Sequence, residues 1–162
     1  MALFLRKLER KLWLDPQYSK NLGGLAADAI KNFKTFGNSL SVFSVEDDPN
    51  LITRVLAAII GGCDRICEAE YALFDSSILD DLGIKYEQED GKTADAEVNK
   101  QHVNLGDLTA DQINNLAEKI QAIGHLNRIL HNKIEESLRE GIQRGTIQYD
   151  RLNKKLATSL MI

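Results

Sequence analysis

Seven side chains in the last third of the chain recur at alternating spacings of three and four: Ile113, Leu116, Ile120, Ile123, Asn127, Leu130 and Ile134. Such spacing lays all of them along one face of an α-helix, and few other backbone conformations would use it. Thr109, followed three residues on by Gln112, has the form of a capping box that starts the helix. Gly141 and Gly145 mark its expected end. The pattern therefore predicts one long helix over about 109–141. A shorter helix over 147–160, with Tyr149, Leu152, Leu156 and Leu160 on one face, would fold back on it as a helical hairpin spanning 109–162. Leu126 and Ile129 lie off the stripe, so the middle of the long helix is apolar over a wide arc. Asn127 breaks the apolar series and could set register through a buried hydrogen bond. An arc that wide asks for two neighbours, the body of the domain and a second surface. Ile123, Leu126, Asn127, Ile129, Leu130 and Ile134 are accordingly the expected interface with another protein or another copy of the chain.

Upstream, the period changes. Leu40 to Val45 is short, β-branched and apolar on both faces, as expected of a strand covered on both sides. Asp48-Pro49 supplies an N-cap and a first-turn proline for a buried helix from Leu51 to Ile60, stopped by Gly61-Gly62. Cys67 to Phe74, Ile84 to Glu87 and Gln101 to Leu105 read as further strands, and Ser76 to Leu82 as a short helix before Gly83. Glu89 to Ala96 reads as a mobile surface loop. Before all of these, residues 2–14 read as an amphipathic helix ended by Asp15-Pro16, and 25–34 as a second helix bounded by Gly23-Gly24 and Gly37-Asn38. The expected class is α/β, or an α-rich α+β fold. It has N-terminal helices in 1–36, a small sheet of three to four short strands within 39–106 in an α/β unit ending near 108, and the C-terminal hairpin, all in one domain of 162 residues.

The formal net charge of -4 is unevenly spread. Asp64 to Glu97 holds eleven acidic residues against Arg65, Lys85 and Lys92. Basic residues gather at the two ends, with Arg6, Lys7, Arg10 and Lys11 at one and Arg139, Arg144, Arg151, Lys154 and Lys155 at the other. An acidic middle repels nucleic acid and favours basic partners, with Glu87, Glu89 and Asp90 as expected contacts. No stretch has the ~20 apolar residues of a membrane span. The first residues place charge after the apolar run, the reverse of a secretion signal, so the expected compartment is cytoplasmic. Cys63 and Cys67, read as one helical turn apart, suit a reduced pair better than a bridge.

Chemistry is sparsely encoded. Glu46, Asp47 and Asp48 follow one predicted strand, Asp75 a second and Asp107 a third. If these strands ran parallel, the carboxylates would meet at one sheet edge and could hold Mg²⁺ beside His102. The same residues would also serve as helix caps. The three histidines show no metal-ligand spacing, and two cysteines fall short of a zinc site. Gly91-Lys92-Thr93 imitates the end of a phosphate loop, but the glycine needed five residues earlier is Tyr86. No cofactor or metal is expected. The residues point to a protein-binding module: a small acidic binder such as an immunity- or antitoxin-like inhibitor, or a subunit of a larger complex. A metal-dependent hydrolase or phosphoryl-transfer enzyme using Glu46, Asp47, Asp75, His102 and Asp107 is the first alternative. Attachment to a membrane surface through the N-terminal amphipathic helix is the second.

Overall fold

The computed structural model describes residues 2–9, 12–13, 25–123 and 126–161. Its centre is a six-stranded sheet, antiparallel at every pairing. The strands are β1 (Leu3–Lys7), β2 (Leu40–Val45), β3 (Ala69–Asp75), β4 (Lys85–Gln88), β5 (His102–Gly106) and β6 (Leu126–Ile129). They lie in the order β4-β5-β2-β1-β3-β6. The α/β class matches the expectation, but the sheet is larger than three to four strands and reaches well outside 39–106. Both extra strands come from segments whose spacing predicts helix.

The first of them, β1, replaces the first half of the amphipathic helix expected over 2–14, while residues 10, 11 and 14 and the expected stop at Asp15-Pro16 lie outside the described residues. It lies deep in the sheet, between β2 (Leu3↔Val45 to Leu5↔Phe43) and β3 (Leu3↔Asp75 to Lys7↔Tyr71). Alternation sends Phe4 to one face and Leu5 to the other, and both are buried. A strand with a neighbour on each side satisfies its backbone polar groups in two ladders. An isolated helix of this length would have to overcome a costly nucleus. The membrane reading of this segment rested on a helix, and the strand removes that basis.

The second correction concerns the C-terminal hairpin. The heptad stripe is divided among three elements: α3 (Ala110–Ile123), strand β6, and α4 (His131–Gln143). Ile113, Leu116 and Ile120 are buried on one face of the sheet, whereas Ile134 is buried on the other. Between them the chain crosses from layer to layer by pairing with β3, from Ala72↔Leu126 to Ala69↔Ile129. After α4 comes a 3-10 turn (Tyr149–Arg151) and then α5 (Lys154–Leu160), in place of one helix over 147–160.

Three layers result. One face of the sheet is covered by a 3-10 helix (Ala27–Phe33), by α2 (Ser76–Asp81) and by α3. Residues 25–34 thus coil more tightly than the expected α-helix. The opposite face is covered by α1 (Pro49–Ile60), α4 and α5. Most local helix signals are met, although Gly141, an expected stop, lies buried inside α4. Asp48 accepts from Asn50 N–H (2.9 Å) ahead of Pro49. Thr109 and Gln112 exchange hydrogen bonds, Thr109 N–H to Gln112 Oε1 (3.0 Å) and Gln112 N–H to Thr109 Oγ1 (3.2 Å). Gly145, at φ 76°, follows α4 in the left-handed region. No helix of the described residues is long and apolar enough to cross a membrane.

Trp13 ties the N-terminal segment to the first layer. It is buried, and its Nε1–H donates to Asn32 Oδ1 (2.9 Å), which also accepts from Glu9 N–H (3.1 Å). Trp13→Phe keeps most of the apolar bulk and removes that donor. The expected loss is about 0.5–1.5 kcal/mol, read from the urea midpoint by circular dichroism.

Candidate functional site

The antiparallel sheet decides the fate of the acidic constellation. β2 and β3 both run opposite to β1, so Glu46-Asp47 and Asp75 leave the sheet at the same end. β5 runs opposite to β2, so Asp107 leaves at the other end. The carboxylates therefore do not gather at one edge, and no group of three or more potential metal ligands occurs among the described residues. Asp48 and Asp75 cap helices instead. Asp75 accepts from the Ser77 hydroxyl and from Ser77 N–H (2.9 Å), and these bonds hold its carboxyl below the ordinary value. Asp107, at φ 54°, faces Lys85 Nζ at 3.6 Å on the surface. His102 opens β5, one strand in from the sheet edge, edge-on to Phe43, its Nδ1 3.0 Å from the Glu89 carbonyl oxygen.

The six residues expected to form one interface do not share one surface. Leu126 and Ile134 are buried, Asn127 on β6 and Leu130 just after it are exposed, Ile129 is half-buried, and Ile123 is exposed at the end of α3. Cys63 and Cys67 are free thiols in the turn after α1, not on a helix. Burial pushes the Cys63 thiol up, which keeps it in its unreactive form.

The three acidic residues Glu87, Glu89 and Asp90 occupy the opposite edge. All of β4 and the two residues after it are exposed. Glu89 N–H reaches the His102 carbonyl at 3.3 Å, in step with Glu87↔Asn104 and Lys85↔Gly106. Alternation of an antiparallel ladder then turns the backbone N–H and C=O of Tyr86 and Gln88 away from β5, outward from the sheet. The carboxylates of Glu87, Glu89 and Asp90 enter no ion pair among the described residues. The segment that follows is not the loose loop its composition suggests, because Ala94 and Asp95 are buried.

Beside this edge lies a cleft of about 860 Å³. The β1–β2 ladder stops at Leu5↔Phe43, while β1 continues along β3 to Lys7 and β2 continues along β5 to Leu40. Past the last pair, the Arg6 guanidinium takes the place of the ladder. It donates to the Ser41 carbonyl (2.6 Å) and twice to the Asn32 carbonyl (2.8 and 3.1 Å). Its partners are carbonyls rather than carboxylates, and burial lowers its pKa to about 10. Leu5, Phe43 and Ala58 line the cleft, and His102 and Asn104 border it. Six cationic side chains line it against three carboxylates: Arg6, Lys7, Lys31, Lys34, Lys92 and Arg151 against Glu9, Glu89 and Asp90. The sequence shows no local sign of it, since these residues come from four separated segments, and Arg6 and Lys7 read as the polar face of a helix. No family model, no curated protein and no solved structure matches the chain.

Proposed function

We propose that the protein is a protein-binding module that takes up an extended basic segment of its partner as an additional strand on β4. A small acidic inhibitor of a basic protein, of the immunity or antitoxin kind, is one concrete form. The observation that carries the reading is the state of β4: an edge strand exposed at every residue and flanked by three unpaired carboxylates. Exposed edges invite pairing, and natural proteins commonly blunt them with a bulge, a proline or a covering segment. Here the one edge lysine, Lys85, is engaged by Asp107. Strand addition would draw its affinity from main-chain hydrogen bonds at Tyr86 and Gln88. The carboxylates would speed encounter and reject acidic competitors.

A peptide of about ten residues alternating lysine and valine, titrated calorimetrically at low salt, tests this. Its glutamate counterpart is the control. The lysine peptide is expected to bind at micromolar strength and the glutamate peptide not at all. Gln88→Pro removes an outward donor without touching the β5 ladder, a placement that edge strands tolerate. It is expected to weaken binding about tenfold, as is the Glu87→Lys/Glu89→Lys/Asp90→Lys variant. Undiminished binding by Gln88→Pro would refute strand addition, and equal binding of the two peptides would refute the acidic partner surface.

A further inference from the structure

We propose that the cleft at the β1–β2 divergence is a binding site for a phosphorylated small molecule of nucleotide size, its phosphates held by Lys7, Lys92 and Arg151 and its ring system stacked on Phe36. Four observations meet there. The volume falls within the ~300–1,000 Å³ usual for small-ligand sites, and the lining combines apolar surface from Leu5 and Phe43 with polar groups at the rim. Cations outnumber carboxylates along it in a protein whose net charge is negative, so the local excess opposes the overall field. Lys7, Lys34, Lys92 and Arg151 have no side-chain hydrogen bond or ion pair among the described residues, so their charge is available to a ligand.

The fourth observation is Phe36. This phenylalanine is 92% exposed at the cleft rim, an unfavourable place for an aromatic ring with nothing to cover it. Its backbone, though not its ring, is fixed by a turn. Phe36 and Ser39 exchange backbone hydrogen bonds (3.1 and 3.2 Å) across Gly37 and Asn38, both at φ 59°. Two consecutive left-handed residues make the tight turn for which Asn and Gly are the favoured residues. Leu108 N–H donates to the Asn38 carbonyl (2.9 Å) and anchors the turn to the body of the domain. A backbone-anchored turn presenting a bare aromatic ring on the same cleft as unpaired cations is the combination that stacking and phosphate contacts require.

The test is calorimetric titration of the full chain with adenosine triphosphate, inorganic triphosphate and a single-stranded oligonucleotide of about ten residues. The variants are Lys92→Ala/Arg151→Ala and Phe36→Ala, with Lys154→Ala as a cation outside the cleft. All four side chains are exposed, so unchanged thermal midpoints are expected and confirm that each variant is folded. Adenosine triphosphate is expected to bind one to one. Lys92→Ala/Arg151→Ala should weaken it by more than about tenfold, and Phe36→Ala by about fivefold or more. Lys154→Ala should leave it unchanged. The proposal is overturned by absence of saturable binding, or by undiminished affinity in the Lys92→Ala/Arg151→Ala variant. Inorganic triphosphate binding as tightly as the nucleotide, with Phe36→Ala silent, would overturn the nucleotide assignment. Tighter binding of the oligonucleotide, with several proteins per strand, would overturn it in favour of a nucleic-acid surface.

Discussion

Leu5→Asp is expected to leave the chain unfolded at 25 °C. Leu5 has 0% exposure on a strand with a hydrogen-bonded neighbour on each side. It belongs to the apolar cluster that includes Phe43, Val45, Leu56 and Tyr71. A carboxylate placed there is desolvated among apolar side chains, at a cost of several kcal/mol that the cations along the cleft offset only in part. The lost leucine packing adds roughly 2–5 kcal/mol. Together these rival the whole stability of a typical domain, about 5–15 kcal/mol. Leu5→Ile, which conserves volume and suits a strand, should cost less than about 1.5 kcal/mol. Circular dichroism and gel filtration of the two variants decide the point. A folded Leu5→Asp variant would show that the N-terminal segment is peripheral, as an amphipathic helix would be, and would contradict its place inside the sheet.

The second large effect is expected at Asp95, which has 0% exposure. Its carboxylate accepts from Arg54 Nε (2.8 Å) and Nη2 (3.0 Å), from Glu97 N–H (2.9 Å) and Val98 N–H (3.2 Å), and from the Thr146 hydroxyl (3.2 Å). One side chain thus joins α1, the segment before β5 and the exit of α4. Removing one member of a buried pair typically costs about 3–5 kcal/mol, because the other charge is stranded. Arg54 would keep its bond to Glu97 (2.6 Å), so Asp95→Ala is placed at the low end, about 3 kcal/mol. Chemical denaturation at neutral pH measures it.

The same carboxyl shapes the acid limb of stability. Burial pushes its pKa up, but the Arg54 guanidinium and the amides of Val98 and Glu97 pull it further down, so it ends below the ordinary value. A depressed carboxyl stabilises fully above its unfolded pKa, about 3.9, and loses that contribution as pH falls through the lower folded value. The wild-type urea midpoint should therefore drop below about pH 4, and Asp95→Asn should flatten that part of the profile. A parallel drop in Asp95→Asn would assign the acid limb to other carboxylates.

The elements that are legible in the sequence are those whose cause is local. Leu40–Val45 is apolar on both faces because it is covered on both. Asp48-Pro49 and Thr109–Gln112 start helices through contacts within a few residues. Val103 and Leu105 separate from His102 and Asn104 by simple alternation. Of the candidate site, Glu87, Glu89 and Asp90 stand out as local charge excess. The cleft does not, because Arg6, Phe36, Lys92 and Arg151 meet only when β1 enters the sheet and residues 92 and 151 arrive from other layers.

The stripe from Ile113 to Ile134 marks the boundary between the two kinds of information. By itself the sequence determined that Ile113, Leu116 and Ile120 share a buried helix face, and that this helix begins at Thr109. Only the tertiary structure decided that the run is cut by a strand. Spacings of three and four score one face of a single helix, yet they say nothing of an unpaired edge waiting on β3. Leu126 to Ile129 satisfy their backbone there and carry the chain to the opposite layer, so that Ile120 and Ile134 are buried on different faces. Residues 3–7 follow the same physics. Whether a short apolar segment becomes helix or strand depends on hydrogen-bond partners far away in the chain, and those partners exist only once the rest of the sheet has formed.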